Sequence, residues 1–466
     1  MRDPRISVLS HSPVRLVAAT AAALVVVGAL HYVWRAPDRE LARYLAEMKA
    51  AGKPTTMAEA APAPVPDSEN AAPLYLQAEA SIAVGTCDGL QKQQWADPGF
   101  MRQLAAEIEA SQPALELVRR AAAKRQCRFD VAYEQGLEAN ITHRGPLRRV
   151  LSLTSSAAVV AATDGDPAEA VCCLRLTYAV ARHLRQDSLP LSLLTSSAGE
   201  LYAQVAAGAI VRDGPLPPQE VRLLCRDLRE DDLAGAVRDA LATLAAGVLQ
   251  FAEDMRHRPW FFANLPIDLG PEVSLPNWCP CRELAERGVA CWYGYSPAFS
   301  RDELRLLRFW AEAQPIADLP WREAKARWSR ALHGLRVSSL HQPMEGLLTA
   351  GPEQYMIRRD ETLARRALLQ AALALHEHRA QHGALPDALS DVHIDELPIP
   401  DDIFSGRPLV YRREGDGFVL YSIGANLKDD GGVDDRDNGD IVWAPRVPRA
   451  ASNPSTAAPP TGGGSE

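Results

Sequence analysis

The chain has no surplus of positive charge to offer a polyanion. Its 50 Lys and Arg face 59 Asp and Glu, a net charge of −9 at neutral pH. Without a basic field there is little to displace phosphate counterions, which argues against a nucleic-acid partner. Aromatic residues are scarce, 6% of the chain, and their densest cluster is confined to residues 257–300. Catalytic signatures are missing too: no Gly-x-Ser-x-Gly elbow, no P-loop and no dinucleotide fingerprint. His376-Glu377-His378 with His382 fails the H-E-x-x-H pattern, because Ala380 stands where the second histidine belongs. These read as surface histidines rather than a metal site.

What the chain does have begins with one long apolar run, Leu16 to Trp34, interrupted only by Thr20, Gly28 and His31. As a helix it would measure about 28 Å, close to the ~30 Å hydrocarbon core of a bilayer. Arg2, Arg5 and Arg15 precede it and favour an N-in orientation, against which Arg35, Arg39 and Arg43 weigh. It ends on His31-Tyr32-Val33-Trp34 rather than on small residues, which favours an uncleaved anchor over a cleavable signal peptide. The expectation is a single-pass protein of the cytoplasmic membrane, with its bulk on the periplasmic or extracytoplasmic side. Eight cysteines are compatible with that compartment. Cys87 and Cys127 lie in loop-like contexts and could pair. Cys172 and Cys173 fall in a helical pattern and should pack. Cys279, Cys281 and Cys291 lack zinc spacing and an evident fourth ligand.

A chain of 466 residues suggests more than one domain. The pattern divides into an anchor (1–36), a linker (37–68) that includes Pro/Ala-rich residues 58–67, a helical body (69–345) with the aromatic and cysteine insert at 257–300, a C-terminal α/β unit (346–445) and a Pro/Ser/Thr/Gly tail (446–466). Within the body, apolar spacing predicts helices over 101–124, broken by Pro113, then 146–163, 168–184, 191–211, 218–228 and 233–255. Between the second and third of these, Gly165 should end one helix, Asp166 cap the next and Pro167 open it. Ser300-Arg301-Asp302-Glu303 reads as a cap for a helix to Ala313, and Pro320 as the start of another to Leu335. The body is thus mainly α, either an irregular bundle or a repeat-like stack. Residues 147–185 resemble a tetratricopeptide-type helical hairpin, without a second copy at a fixed period.

The most specific stretch is C-terminal. Thr362 to Arg379 carries an apolar band at helical spacing, and two strand-like runs flank Gly415-Asp416-Gly417. The order LLQAALALHEHRAQHGALPDAL, LPIPDDIFSGRPLVY, GFVLYSIGANLKDDGG, NGDIVW resembles the C-terminal domain of the major pseudopilins of type II secretion systems. The matching positions are Asp402, Phe404, Gly406, Pro408, Tyr411, Phe418, Tyr421, Ser422, Gly424, Ala425, Gly431, Gly432, Asp440 and Ile441. The resemblance implies a helix, a tight turn, a short antiparallel sheet and a calcium loop. Ile403 stands where that family has proline, Ser405 is an extra turn residue, and Asn426 replaces an aspartate ligand. More than 300 residues separate the apolar run from this helix, which argues against a filament subunit.

Residues 429–440 hold six aspartates against Arg436 alone. So many carboxylates repel one another unless solvated or bridged, and calcium takes six to eight oxygen ligands. The expected ligands are Asn426, Asp430, Asp434, Asp435, Asp437, Asn438 and Asp440. The resulting expectation is a membrane-anchored, exported, non-enzymatic structural or interaction protein with a calcium-stabilised C-terminal unit and a protein partner. One alternative is an accessory component of a type II secretion-like machine. The other is a hydrolase with a site dispersed over 257–345.

Overall fold

A computed structural model describes residues 13–83, 97–211, 216–257, 296–336, 352–393, 398–415, 417–433 and 439–443. It is mainly helical with one small antiparallel sheet. The helices are α1 (Pro13–Trp34), α2 (Ala36–Ala50), α3 (Met57–Ala60), α4 (Ala72–Ala80), α5 (Pro98–Ala110), α6 (Gln112–Ala122), α7 (Arg144–Thr163), α8 (Pro167–Arg185), α9 (Pro190–Ile210), α10 (Pro218–Glu230), α11 (Leu233–His257), α12 (Pro297–Ala317), α13 (Trp321–Arg336) and α14 (Pro352–His382). The strands are β1 (Val410–Glu414), β2 (Gly417–Ser422) and β3 (Ile441–Val442).

Local chemistry accounts for many of these boundaries. The predicted helix over 101–124 is two helices, because Pro113 lacks the N–H that an unbroken ladder would need and sits instead in the first turn of α6. Gly165 (φ +81°) ends α7, and the Asp166 carboxylate accepts the Glu169 N–H at 3.0 Å to cap α8 behind Pro167. One expected cap is displaced. α12 begins at Pro297, and Ser300 lies inside it, its hydroxyl donating to Asp38 at 2.5 Å rather than capping the helix.

Helices α7, α8 and α9 pack on one another and form the centre of the body. Leu147, Val150, Leu151, Leu174, Val180 and Leu184 are all buried there. The α7–α8 hairpin is therefore not a free-standing pair, since α9 covers both members. Residues 37–68 contain α2 and α3. The first packs on α12 and the second on α11, with Met57 buried and its N–H held by Gln250 at 3.1 Å.

The long α14 ties the C-terminal unit to this body. It packs against α9, α10, α11 and α13 on one side and against β2 and β3 on the other. Residues Ala367 to Leu375 are consequently buried almost without interruption, a wider surface than the expected band. Strands β1 and β2 are antiparallel, with Val410 opposite Tyr421 and Glu414 opposite Gly417, and β3 adds Val442 opposite Tyr421. Leu409, Leu420 and Trp443 belong to the same apolar core as Leu151 and Leu174. Polar bolts reinforce the joint: Trp321 Nε1 donates to the Ala425 carbonyl at 3.1 Å and Arg322 to that of Ile403 at 2.6 Å.

Among the described residues no helix is long and apolar enough to cross a membrane. The side chains of α1 are described over residues 20–34, a shorter stretch than the ~20 apolar residues a span needs. Of the described cysteines, Cys127, Cys173 and Cys225 are buried and Cys172 is half-buried. Cys87, the candidate partner of Cys127, lies outside the described residues, as do Cys279, Cys281, Cys291 and nearly all of the aromatic insert.

Candidate functional site

The loop expected to hold calcium follows β2. Asp434, Asp435, Asp437 and Asn438 lie outside the described residues. The other three expected ligands are placed, and each faces a protein donor. Both oxygens of the buried Asp440 are taken by backbone N–H groups, from Gly432 at 2.6 Å and Asp430 at 3.3 Å. The Asn426 amide donates to Asp430 at 2.7 Å, and its oxygen accepts from Lys428 N–H at 2.8 Å. Asp429 accepts from the Tyr421 hydroxyl at 2.9 Å and from Gly431 N–H at 3.0 Å. Burial raises the pKa of Asp440 despite its two donors. That of Tyr421 is pushed up to about 12, by burial and then by its bond to Asp429. Among the described residues no three acids or histidines converge as a metal would require. The placed donors, Asn426, Asp430 and Asp440, are fewer than the six to eight oxygens calcium takes, and the remaining expected ligands lie outside the described residues.

A second polar knot lies at the same, C-terminal end of β2. Asp402 is buried and accepts from Ser422 Oγ at 2.6 Å, Phe404 N–H at 3.1 Å, Ser405 N–H at 3.2 Å and Ile423 N–H at 3.4 Å. Gly424 follows at φ +70°, where a Cβ would run into the Gly439 carbonyl oxygen. Only glycine fits that crossing. The turn before β1 and the loop before β3 are thereby pinned to the same strand end.

The helical body hides a cluster that sequence spacing did not reveal. Arg366 of α14 grips Glu200 of α9 with two parallel bonds, 2.7 and 2.6 Å, and reaches Asp231 at 2.5 Å. Arg185 of α8 pairs with Glu200 at 2.7 Å and also with Asp231. All four are almost inaccessible to solvent. Burial opposes the charge of Arg366, yet Glu200 and Asp231 outweigh it and raise its pKa. Asp231 is lowered, with Arg185 and Arg366 overcoming burial. The sequence signal was an isolated charge inside an otherwise apolar helix: Glu200 among the small residues of α9, and Arg366 beside the apolar band of α14.

Two clefts flank this cluster and share Arg182 and Asp231, one of about 440 Å³ and one of about 670 Å³. The smaller is lined by Arg119, Arg175 and Arg366 as well. Arg119 is already matched by Glu116 and Glu169, and Arg175 by Asp227 and Glu220. The larger cleft mixes both signs, and the smaller sets four arginines, Arg182 included, against Asp227 and Asp231.

Two histidines are internal. His183 Nε2 faces the Lys124 carbonyl at 3.1 Å, so that nitrogen carries the proton and Nδ1 accepts from the Tyr75 hydroxyl at 2.7 Å. His143 stacks on Phe129, its ring 4.0 Å away, with Nε2 2.7 Å from the Asp187 carboxylate. Ser192 donates to that same carboxylate at 3.2 Å instead of to the imidazole. Ser, His and Asp are therefore present in the wrong order to activate a hydroxyl, and all three are buried. His378 and His382 stack on the exposed end of α14, where His382 is bonded to the carbonyl of His378.

No family model matches the chain, and comparison with curated proteins and with solved structures finds no match.

Proposed function

We propose that this chain is a membrane-anchored interaction protein, a rigid helical body held on the extracytoplasmic side by α1. The observation that carries the reading is the surface of α1. Leu24, Val25, Val26, Val27, Leu30, Tyr32, Val33 and Trp34 are all exposed, from 46% to 71%. They account for most of the large exposed apolar side chains among the described residues. A helix that is apolar all round is stable in lipid or inside a protein, and a continuous patch of this kind marks the contact. Taken with the sequence before residue 20, the helix of 22 residues is about 33 Å long, enough for one span.

The non-catalytic part of the reading is supported by how the polar groups are used. The buried charges bind one another, and Arg119, Arg175 and Arg366, which line the smaller cleft beside them, are already paired with acids. The resemblance of the C-terminal unit supplies a partner class, a component of a type II secretion-like machine. In its favour, Asp402, Ser422 and Gly424, three positions that carry the resemblance, are linked by hydrogen bonds at the end of β2. Calcium enters this proposal through Asn426, Asp430, Asp434, Asp435, Asp437, Asn438 and Asp440, the carboxylates of Asp430 and Asp440 keeping acceptor capacity beyond the bonds they already take.

Protease treatment of intact spheroplasts tests the topology. The proposal predicts that the body is digested, leaving a membrane-protected fragment that contains α1. A body left whole until the membrane is opened contradicts it.

A further inference from the structure

Between α1 and α2 the chain has no slack. Arg35 is the one residue separating them, and its φ of −83° and ψ of 10° take the chain out of helical values for that residue alone. The N–H groups of Arg35 and Arg39 donate to the carbonyls of His31 and Arg35 at 3.0 and 3.4 Å. Arg35 thus closes the last turn of α1 with its N–H and opens the first turn of α2 with its carbonyl, one residue serving both helix ends. Pro37 falls in the first turn of α2, where its missing N–H costs little.

Helix α2 is in turn fixed to the body. Leu41 is buried against Leu249, Leu304 and Leu307. Asp38 accepts from Ser300, and Ser300 accepts from Arg256 at 3.0 Å, which joins α2, α11 and α12 in one chain of hydrogen bonds. Arg308 and Glu40 pair across the same contact at 2.6 Å.

At this junction two aromatic rings and two guanidiniums are stacked. Arg39 lies 3.7 Å from the ring centre of Tyr32, and Arg35 lies 5.3 Å from that of Trp34. Both rings are exposed, and Arg39 has no carboxylate partner among the described residues. Aromatic rings closing an apolar helix, each topped by a cation, have the chemistry of the headgroup layer. The ring body favours the acyl boundary, while the cation favours phosphate.

We infer that this junction is a phospholipid-headgroup site that sets the body at a fixed height and orientation on the bilayer. Tyr32 and Trp34 lie at headgroup depth, Arg39 pairs with a lipid phosphate, and the one-residue junction between α1 and an α2 clamped to α12 prevents the body from swinging on a tether. The inference rests on α1 being the membrane anchor.

The full chain in phosphatidylcholine bilayers tests it. Flotation with liposomes reads the anchor alone, and failure to float removes that reading and this inference together. With flotation established, neutron reflectometry on a supported bilayer reads the body's height. The expected profile has protein abutting the headgroups, with a hydrated gap and a broader layer appearing in Leu41→Ser, which frees α2 from α12. A gap already present in the wild type, or identical profiles for the two proteins, overturns the fixed height. Native mass spectrometry of chain released from detergent reads the phosphate contact without disturbing the fold. Arg39→Gln should retain phospholipid about fivefold less, the ratio equivalent to the ~1 kcal/mol of one basic side chain at a lipid surface. Equal retention overturns the headgroup site.

Discussion

Four ionised side chains in a helical interior persist because each is answered by another. Arg185, Glu200, Asp231 and Arg366 form a closed set across α8, α9, α14 and the short link between α10 and α11. Breaking such a set leaves a buried charge without compensation, which costs about 3–5 kcal/mol. Arg366→Met should lose that much in a urea titration. Arg366→Met/Glu200→Met should lose less, because the acid left unpaired has gone too, and Arg185 keeps Asp231. Equal losses in the two variants would show that the pairing is not what matters at this position.

His183 makes a separate pH-dependent contribution. Burial, reinforced by the charge of Arg182, holds its pKa down to about 4 from 6.5. In the unfolded chain the ring takes up a proton as the pH falls through 6.5, while in the folded chain it stays neutral until about 4. Its contribution is therefore complete above pH 6.5 and declines as the pH falls toward 4. The loss at pH 4.5 is about 2–3 kcal/mol. Unfolding midpoints at pH 7 and 4.5 should differ more in the wild type than in His183→Gln. Parallel behaviour would deny the buried neutral ring this role.

Among the elements, those with local punctuation were the legible ones. Gly165, Asp166 and Pro167 announce the turn between α7 and α8 because capping chemistry is confined to a few neighbouring residues. Asp166→Ala should lower stability by about 1 kcal/mol in the same titration, whereas a change below a few tenths would mean that the cap is idle. Ser300 looked like a cap by the same rule. Its actual partner, Asp38, is 262 residues away, and no local pattern reports such a bond. The width of the buried surface on α14 was hidden for a related reason. A helix gripped on one side by other helices and on the other by a sheet buries residues that a one-sided amphipathic pattern would leave out.

The C-terminal loop separates what composition can say from what geometry decides. Crowded aspartates were plain in the sequence, and the backbone donors that satisfy Asp440 were not, since they depend on how Gly431 and Gly432 turn the chain. Asp440→Ala should destabilise the chain by about 1–3 kcal/mol even in chelator, because two N–H groups then lose their acceptor. A variant indistinguishable from the wild type in chelator, and weaker only with calcium, would make Asp440 a metal ligand instead.

For the whole molecule, the helical class and the small C-terminal sheet were readable from periodicity. The way the two are joined was not. One apolar core runs from Met57 to Trp443, drawing on α3, α7, α8, α14 and β2 together. Long-range packing of this kind leaves no signature in any window of sequence. The interior charge cluster shares that property, since its members are scattered from residue 185 to residue 366. Under the proposed function the fused body is a platform, and α1 is what holds it at the membrane. Alkaline carbonate extraction of membranes carrying the full chain tests that most directly. The wild type should stay in the pellet, while Val26→Arg/Val27→Arg passes into the supernatant as a folded protein. Release of the wild type by carbonate would contradict an anchoring role for α1.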